Sequence, residues 1–338
     1  MLHARQTTVL LLVLAACARG EPALERIDAN DNRRPAGTLA DGVLSLDLRV
    51  RRGGWFPDAD GGASTPMLAF AEGTRAPQVP APLLRVPAGT EIAVRLHNDL
   101  DLAATVYGLH ARPGPGDSIV LAPGATRDVR FTAGAPGTYY YWASTTGKRV
   151  EDRDGEDSQL SGAFIVDPPG ETPADRVFVL GLWFAKADST VRPALPTREI
   201  MTINGRSWPH TERLEMVLAD SVRWRFINAT NSSHPMHLHG VYFALESRGD
   251  WQRDSAFAPS ARPLEVTELM TPGATMSMRW AAQRPGNWLM HCHFAFHVSP
   301  FMSLTRTLAG DTIVHGDHVA DRARYTDYFR KRLDPLFR

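Results

Sequence analysis

Hydrophobic and polar residues alternate in short runs along most of this chain of 338 residues. Residues 44–50 place an aliphatic side chain at every second position, and residues 92–96 repeat the pattern. Such alternation is typical of half-buried strands. Glycine and proline turns separate the runs, and no long helical period appears. The pattern predicts an all-β protein built from β-sandwiches of Greek-key type.

The proline- and glycine-rich segment at residues 167–170 divides the runs into two sets. We therefore predict one domain over residues 41–168 and a second over residues 175–310. Residues 18–40 are polar and irregular, which predicts a tether. Residues 311–338 are charged and aromatic, which favours a docking tail.

The first seventeen residues have the pattern of an export signal. Arg5 precedes a short apolar run at residues 9–16. The sequence Leu-Ala-Ala-Cys at residues 14–17 resembles a bacterial lipobox, which predicts cleavage before a lipidated Cys17; the alternative is an ordinary secretory signal cut near residue 16 or 18. Either reading predicts an exported protein of the periplasm or cell envelope, and the lipobox reading adds a lipid anchor as its membrane contact. Cys292, the second of the two cysteines, then has no partner for an intrachain disulfide.

The charge balance argues against nucleic acid as a partner. The chain has 37 acidic and 37 Lys plus Arg residues, a formal net charge of zero. No basic stripe stands out.

An internal repeat relates the two predicted domains. Residues 121–144 align without gaps to residues 270–293, and residues 98–110 align to residues 228–240. The notable aligned pairs are Ala104 with His234, Tyr107 with His237, Leu109 with His239, Trp142 with His291, Ala143 with Cys292 and Ser144 with His293. The second copy therefore has metal-ligating residues where the first copy has none of the usual kind.

The ligating residues of the second copy form two short segments. Cys292 lies between His291 and His293, and His297 and Met302 follow. Two histidines, one cysteine and a distant methionine form the blue-copper ligand set. The segment at residues 234–240, with three histidines, is the obvious source of the missing histidine.

In an extended strand, neighbouring side chains point to opposite faces. His291 and His293 then face one way and Cys292 the other. The thiolate can bind one metal while its neighbours bind a second site behind it, so the tripeptide forms a short covalent path between two sites.

The sequences HPMHLHG at residues 234–240 and HCHFAFHVSPFM at residues 291–302 resemble the two C-terminal copper motifs of multicopper oxidases, the laccase-like proteins. The wider resemblance covers residues 37–310 and implies two cupredoxin-like domains. It also implies a ligand role for eight residues: His234, Cys292, His297 and Met302 for a type 1 copper, His237 for a type 2 copper, and His239, His291 and His293 for a type 3 pair.

Members of this family supply four further histidines from the first domain, at positions corresponding to Tyr107, Leu109, Trp142 and Ser144. Since those slots lack histidine here, we expect one type 2-like copper among the remaining histidines in place of a full trinuclear cluster. His110, one residue beyond the empty motif, is either a ligand or a loop residue. The acidic segment at residues 152–157 is expected to be a solvated loop.

The resemblance implies a copper oxidoreductase that takes single electrons from a small-molecule or protein donor. His291, Cys292 and His293 would carry them to a second copper, where oxygen or another small acceptor reacts. Two alternatives stay open: a nitrite-reductase-like enzyme with two coppers, and a blue-copper electron carrier without catalysis. A homotrimer is one open arrangement.

Overall fold

The computed structural model describes residues 24–171, 174–184, 199–294, 305–308 and 311–314. The predicted signal segment with Cys17 and all of the predicted tail after residue 314 lie outside this part of the chain. Within it, strands dominate, and three short 3-10 helices occur at Val150–Asp152, Glu156–Gln159 and Pro259–Ala261. The all-β prediction is confirmed.

The strands of the first domain form two sheets. One has the order β1-β5-β4-β3-β7-β10, with β2 added beside β3, and the other has the order β6-β12-β11-β8-β9. The strands are β1 Arg26–Ala29, β2 Thr38–Ala40, β3 Val43–Trp55, β4 Thr65–Glu72, β5 Gln78–Val79, β6 Leu84–Pro87, β7 Glu91–Asn98, β8 Ala104–Tyr107, β9 Ile119–Leu121, β10 Thr126–Thr132, β11 Gly137–Ser144 and β12 Ser161–Asp167. Alternate side chains of both sheets fill one apolar core between them.

The second domain repeats this design. One sheet has the order β14-β13-β15-β21-β17-β18, with β19 on β17, and a three-stranded sheet has the order β20-β16-β22. The strands are β13 Asp175–Phe184, β14 Glu199–Ile203, β15 Ser221–Asn228, β16 His234–Leu238, β17 Phe243–Gly249, β18 Asp254–Ala256, β19 Leu264–Glu265, β20 Thr267–Met270, β21 Thr275–Ala281 and β22 Met290–Cys292, followed by the hairpin of β23 Thr305–Leu308 and β24 Asp311–Val314.

The prediction of a tether over residues 18–40 is wrong for its described part. β1 pairs in parallel with β3 and β5, and Ile27 is only 2% exposed. Four residues are too few to show a periodic pattern, and the pairing partners lie far along the chain. The predicted boundary at residue 310 also separates β23 from β24, which pair with each other.

The two domains share a buried interface. Trp142 and Ile165 of the first domain belong to one apolar cluster with Val179 and Ile227 of the second. Beside it, Asp175 at the start of the second domain accepts from Arg85 at 2.6 Å and from Arg225 at 2.6 Å. Arg225 is almost fully buried, so these charges are compensated within the interface.

In the described residues, no helix is long and apolar enough to cross a membrane.

Candidate metal centre

The sheet β20-β16-β22 brings the two histidine segments together. In the pairing of β16 with β22, Met236 lies opposite Cys292 and His237 lies opposite His291. The ladder continues past the strand end, where the backbone N–H of His293 donates to the carbonyl of Pro235 at 2.7 Å. Two segments about fifty residues apart are thus held in fixed register by backbone hydrogen bonds.

Four imidazoles gather on the outward face of this sheet. The ring of His237 is 4.8 Å from that of His239 and 4.9 Å from that of His293, and the rings of His239 and His291 are 5.0 Å apart. Ligand atoms of His237, His239 and His291 all lie within 4.8 Å of one another. The sequence-based expectation that these histidines converge is therefore met.

Backbone carbonyls determine which ring nitrogens can bind a metal. Because a carbonyl only accepts, the Nδ1–H of His237 donates to the carbonyl of Val266 at 2.8 Å, with Thr267 Oγ1 also 2.8 Å away. The Nδ1–H of His291 likewise donates to the carbonyl of Cys292 at 2.7 Å. In both rings Nε2 therefore carries the lone pair that would serve as a metal ligand.

The electrostatics of the cluster favour neutral imidazoles. Burial, followed by the neighbouring histidines, lowers the pKa of His291 to about 4. The pKa of His239 is also lowered, first by burial and then by His237. Metal ligation requires neutral imidazole, so these rings are ready to bind at neutral pH.

The donor set fits a copper ion. The Nε2 atoms of His239 and His291 are 2.9 Å apart and share a hydrogen bond, in which His239 donates because His291 carries its hydrogen on Nδ1. These atoms are close enough for one metal ion to bind both in place of that hydrogen. Imidazole nitrogens suit copper.

The inward face of the same sheet carries two of the four residues predicted to hold a type 1 copper. Cys292 is half-buried against the second-domain core, next to Met236, and burial raises the pKa of its thiol to about 11. His234, also facing inward on β16, is buried. The other two predicted ligands, His297 and Met302, lie outside the described residues.

The first domain has the same strand register with different side chains. Tyr107 lies opposite Trp142, as His237 lies opposite His291 in the second domain, and Val106 lies opposite Ala143, as Met236 lies opposite Cys292. The internal repeat predicted from the sequence is therefore confirmed in three dimensions.

The two aromatic slots of the first domain are filled by packing. The rings of Tyr107 and Trp142 stack at 4.1 Å. Trp251, from the β17–β18 hairpin of the second domain, packs edge-on against both, 6.3 Å from Tyr107 and 6.2 Å from Trp142. The guanidinium of Arg153 lies 5.2 Å from the Trp142 ring. We call Tyr107, Trp142 and Trp251 the aromatic plug.

His110 belongs to the surroundings of this plug. Its Nε2 is 2.7 Å from the carbonyl of Gly114, and its ring packs edge-on against Trp251 at 5.9 Å. Burial lowers its pKa. These contacts are those of a structural residue between the domains, which agrees with the interpretation of His110 as a loop residue rather than a ligand.

Asp157 corrects the expectation of a solvated acidic loop. It is 1% exposed, and its Oδ2 accepts from Ser144 Oγ, the Thr145 N–H and Thr146 Oγ1, each at 3.0 Å. Ser144, in the slot that corresponds to His293, therefore anchors a loop. The sequence does not reveal the buried role of Asp157, because an aspartate in an acidic segment can be either buried or solvated.

Four exposed apolar residues lie on or close in sequence to the strands of the histidine-bearing sheet. Leu269 is 55% exposed and lies on the outward face of β20, two residues from Thr267, the cross-strand neighbour of His237. Tyr242 is 69% exposed, and Leu264 and Val266 are also exposed. We call these four residues the apolar rim.

Comparison with known proteins identifies relatives of both domains. Residues 73–171 match one multicopper oxidase family model and residues 185–307 match another, together roughly two-thirds of the chain. A probable nitrite reductase-hydroxylamine oxidoreductase fusion protein of Kuenenia stuttgartiensis is 29% identical over 246 residues, 66% of this chain and 26% of that protein. Mouse ceruloplasmin is 30% identical over 116 residues, 34% of this chain and 10% of that protein. The chain thus spans about a quarter or less of these curated relatives.

Solved structures share the fold. The blue copper oxidase of Nitrosomonas europaea superposes with a TM-score of 0.58 at 21% identity, covering 75% of this chain and 80% of that one. The copper nitrite reductase of Nitrosomonas europaea has a TM-score of 0.56 at 18% identity, covering 75% of this chain and 90% of that one. Together, the two family matches and these shared folds place the chain in the multicopper oxidase family.

Proposed function

We propose that this protein is a copper-dependent oxidoreductase that takes single electrons from a small-molecule or protein donor and delivers them to a small acceptor. One site comprises His234, Cys292, His297 and Met302, and the other comprises His237, His239, His291 and His293. Copper bound at these residues supplies one-electron exchange between Cu(I) and Cu(II).

The observation that carries this proposal is the opposite orientation of neighbouring residues in β22. Cys292 packs inward beside Met236, whereas His291 joins the outward imidazoles. The Nδ1–H of His291 donates to the carbonyl of Cys292 itself, at 2.7 Å. The thiol and the imidazole are therefore connected both by the backbone and by this hydrogen bond, which supports an electron path between the two faces.

The acceptor distinguishes the candidate reactions. A full trinuclear centre needs first-domain histidines, and the aromatic plug occupies two of their slots. This favours a second site with a single copper, the arrangement of the nitrite-reductase-like alternative. Oxygen stays the other candidate acceptor. A carrier without catalysis would have no use for the converged outward imidazoles.

Metal counting, combined with two variants, tests the proposal. We expect two coppers per chain after loading, a blue absorption that Cys292→Ser abolishes, and turnover with nitrite or oxygen that His237→Ala abolishes while the blue colour persists. One copper per chain, or unchanged turnover in His237→Ala, would favour the electron carrier. Three or four coppers would favour the oxygen-reducing oxidase. A blue Cys292→Ser variant would refute the assignment of the thiolate.

The proposal includes a homotrimer in which a second copy covers the outward face. Within the chain, the corresponding first-domain face is covered by Trp251 of the second domain. A cyclic head-to-tail assembly would cover the second-domain face in a similar way. The apolar rim supports this, and Leu269→Arg is expected to give monomers in light scattering. Val120→Arg, at the corresponding exposed position of the first domain, is the control.

The proposal also places the mature protein in the cell envelope through a lipid on Cys17. Mass spectrometry of the membrane fraction should find that modification. An unmodified N-terminus beyond residue 17 would contradict it.

A further inference from the structure

A chain of hydrogen bonds leads from a buried amide to the ring of His234. Asn228 is fully buried, and its Nδ2 contacts the carbonyls of Ser232 at 2.8 Å, Met270 at 3.0 Å and Thr271 at 2.9 Å. Because carbonyls only accept, these contacts require the amide nitrogen on that side. They leave Oδ1 facing Thr230, whose Oγ1 is 2.7 Å away.

The hydroxyl of Thr230 has one hydrogen and several neighbours. Asn228 Oδ1, at 2.7 Å, can only accept, and two oxygens this close repel each other unless a hydrogen lies between them, so the hydroxyl donates to Asn228 Oδ1. His234 Nε2 lies 2.9 Å from the same oxygen. The Thr230 oxygen must then accept from His234, and Nε2 carries a hydrogen. The second ring nitrogen, Nδ1, therefore carries the lone pair.

The first domain supplies an internal comparison. Asn98 Nδ2 makes the same three contacts, with the carbonyls of Leu102, Leu121 and Ala122. Its Oδ1 accepts from the backbone N–H of Leu100, as Asn228 Oδ1 accepts from the backbone N–H of Thr230. In both domains the asparagine therefore holds the backbone of the loop that follows it by hydrogen bonds.

The hydroxyl differs between the two copies. The position of Thr230 is Leu100 in the first domain, and the position of His234 is Ala104. The side-chain hydrogen bond thus occurs in the copy that has a histidine to orient.

We infer that Thr230 is a positioning residue that holds His234 in the Nε2–H tautomer and so presents Nδ1 to the metal. The inference rests on the proposed type 1 site for its consequence, although the tautomer itself is a property of the metal-free protein. Partners that orient a ligating histidine typically change metal affinity about 10- to 100-fold when removed.

The test compares Thr230→Val, which keeps the side-chain shape and removes the hydroxyl, with Thr230→Ser, which restores it. In the metal-free protein at pH 8, nitrogen NMR of labelled histidine should show His234 as the Nε2–H tautomer in the parent and in Thr230→Ser. Thr230→Val should show a mixture of tautomers. Circular dichroism and thermal unfolding establish that each variant is folded.

Copper binding supplies the second readout. Thr230→Val should weaken copper binding at the thiolate site about 10- to 100-fold and change its absorption envelope, while Thr230→Ser restores both. Copper binding at the outward histidines should not change. If Thr230→Val keeps the tautomer and the affinity of the parent, the inference is wrong and Thr230 only packs. If the parent binds copper without any thiolate absorption, the proposed function fails, and the NMR result still decides the role of Thr230.

Discussion

The two buried asparagines of the internal repeat allow a matched perturbation. Asn98→Ala and Asn228→Ala each remove an amide that contacts three carbonyls and accepts from the backbone two residues later. The surroundings are nearly the same in the two domains, since Asn98 and Asn228 are both buried. Any difference between the variants must come from what the second copy adds.

The magnitude follows from the contacts. A net contribution of about 1 kcal/mol for each hydrogen bond predicts a loss of about 3–4 kcal/mol for Asn98→Ala. The loss for Asn228→Ala should be about 1 kcal/mol larger, because its Oδ1 also accepts from Thr230 Oγ1. A loss of about 3 kcal/mol in local stability corresponds to roughly 100-fold faster amide exchange.

Hydrogen exchange read by mass spectrometry can assign the loss to a domain. Asn98→Ala should accelerate exchange in residues 119–144, and Asn228→Ala in residues 267–292. Only Asn228→Ala should alter the copper absorption, because only that amide orients a threonine bonded to a histidine. Exchange unchanged in both variants, or an altered absorption in Asn98→Ala, would refute the reasoning.

Three further predictions concern the plug, the acidic loop and the thiol. Trp251→Ala should lower the free energy of unfolding by about 2–3 kcal/mol, because its ring is only partly buried. The control, Trp208→Ala, removes an exposed ring and should change the free energy of unfolding little. Equal effects of the two variants in thermal unfolding would contradict a stabilising role of the aromatic plug. Asp157→Ala should lower the free energy of unfolding by about 3 kcal/mol, because it removes three hydrogen bonds. Amide hydrogen exchange in residues 145–160 should become faster. Asp154→Ala loses only an exposed ion pair and should cost less than about 1 kcal/mol. Burial raises the pKa of the Cys292 thiol to about 11, so the thiol must lose a proton to bind copper. The affinity of that site for copper should therefore rise about tenfold per pH unit between pH 6 and 9. A copper affinity independent of pH would exclude a thiolate ligand.

Local patterns in the sequence were enough to predict the strand register of the site. The gapless alignment of residues 121–144 with 270–293 placed Trp142 at the slot of His291, and the cross-strand pairs agree with it. Alternation along a strand also predicted that Cys292 and His291 separate to opposite faces. Both results depend on backbone periodicity, which a sequence records directly.

Long-range contacts were not predictable in the same way. Nothing near Trp251 in the sequence indicates that it covers Tyr107, because the contact joins two domains. The sequence gives no local sign of β1, since its pairing partners are strands separated from it by many residues. The sequence does not single out Thr230, because a threonine four residues before a histidine is common, and its role appears only in the hydrogen-bond network.

The aromatic plug makes histidine difficult to introduce into the first domain. Histidine at Tyr107 alone would replace one ring of a tight stack by a smaller, polar one against Trp142 and Trp251, leaving a cavity and a ring nitrogen to be paired. Histidine at Trp142 alone would also remove the ring beside Arg153. Each single substitution therefore gives a less stable protein before any pair of ligands is complete. The packing that joins the two domains thus opposes the stepwise gain of a metal site in the first domain.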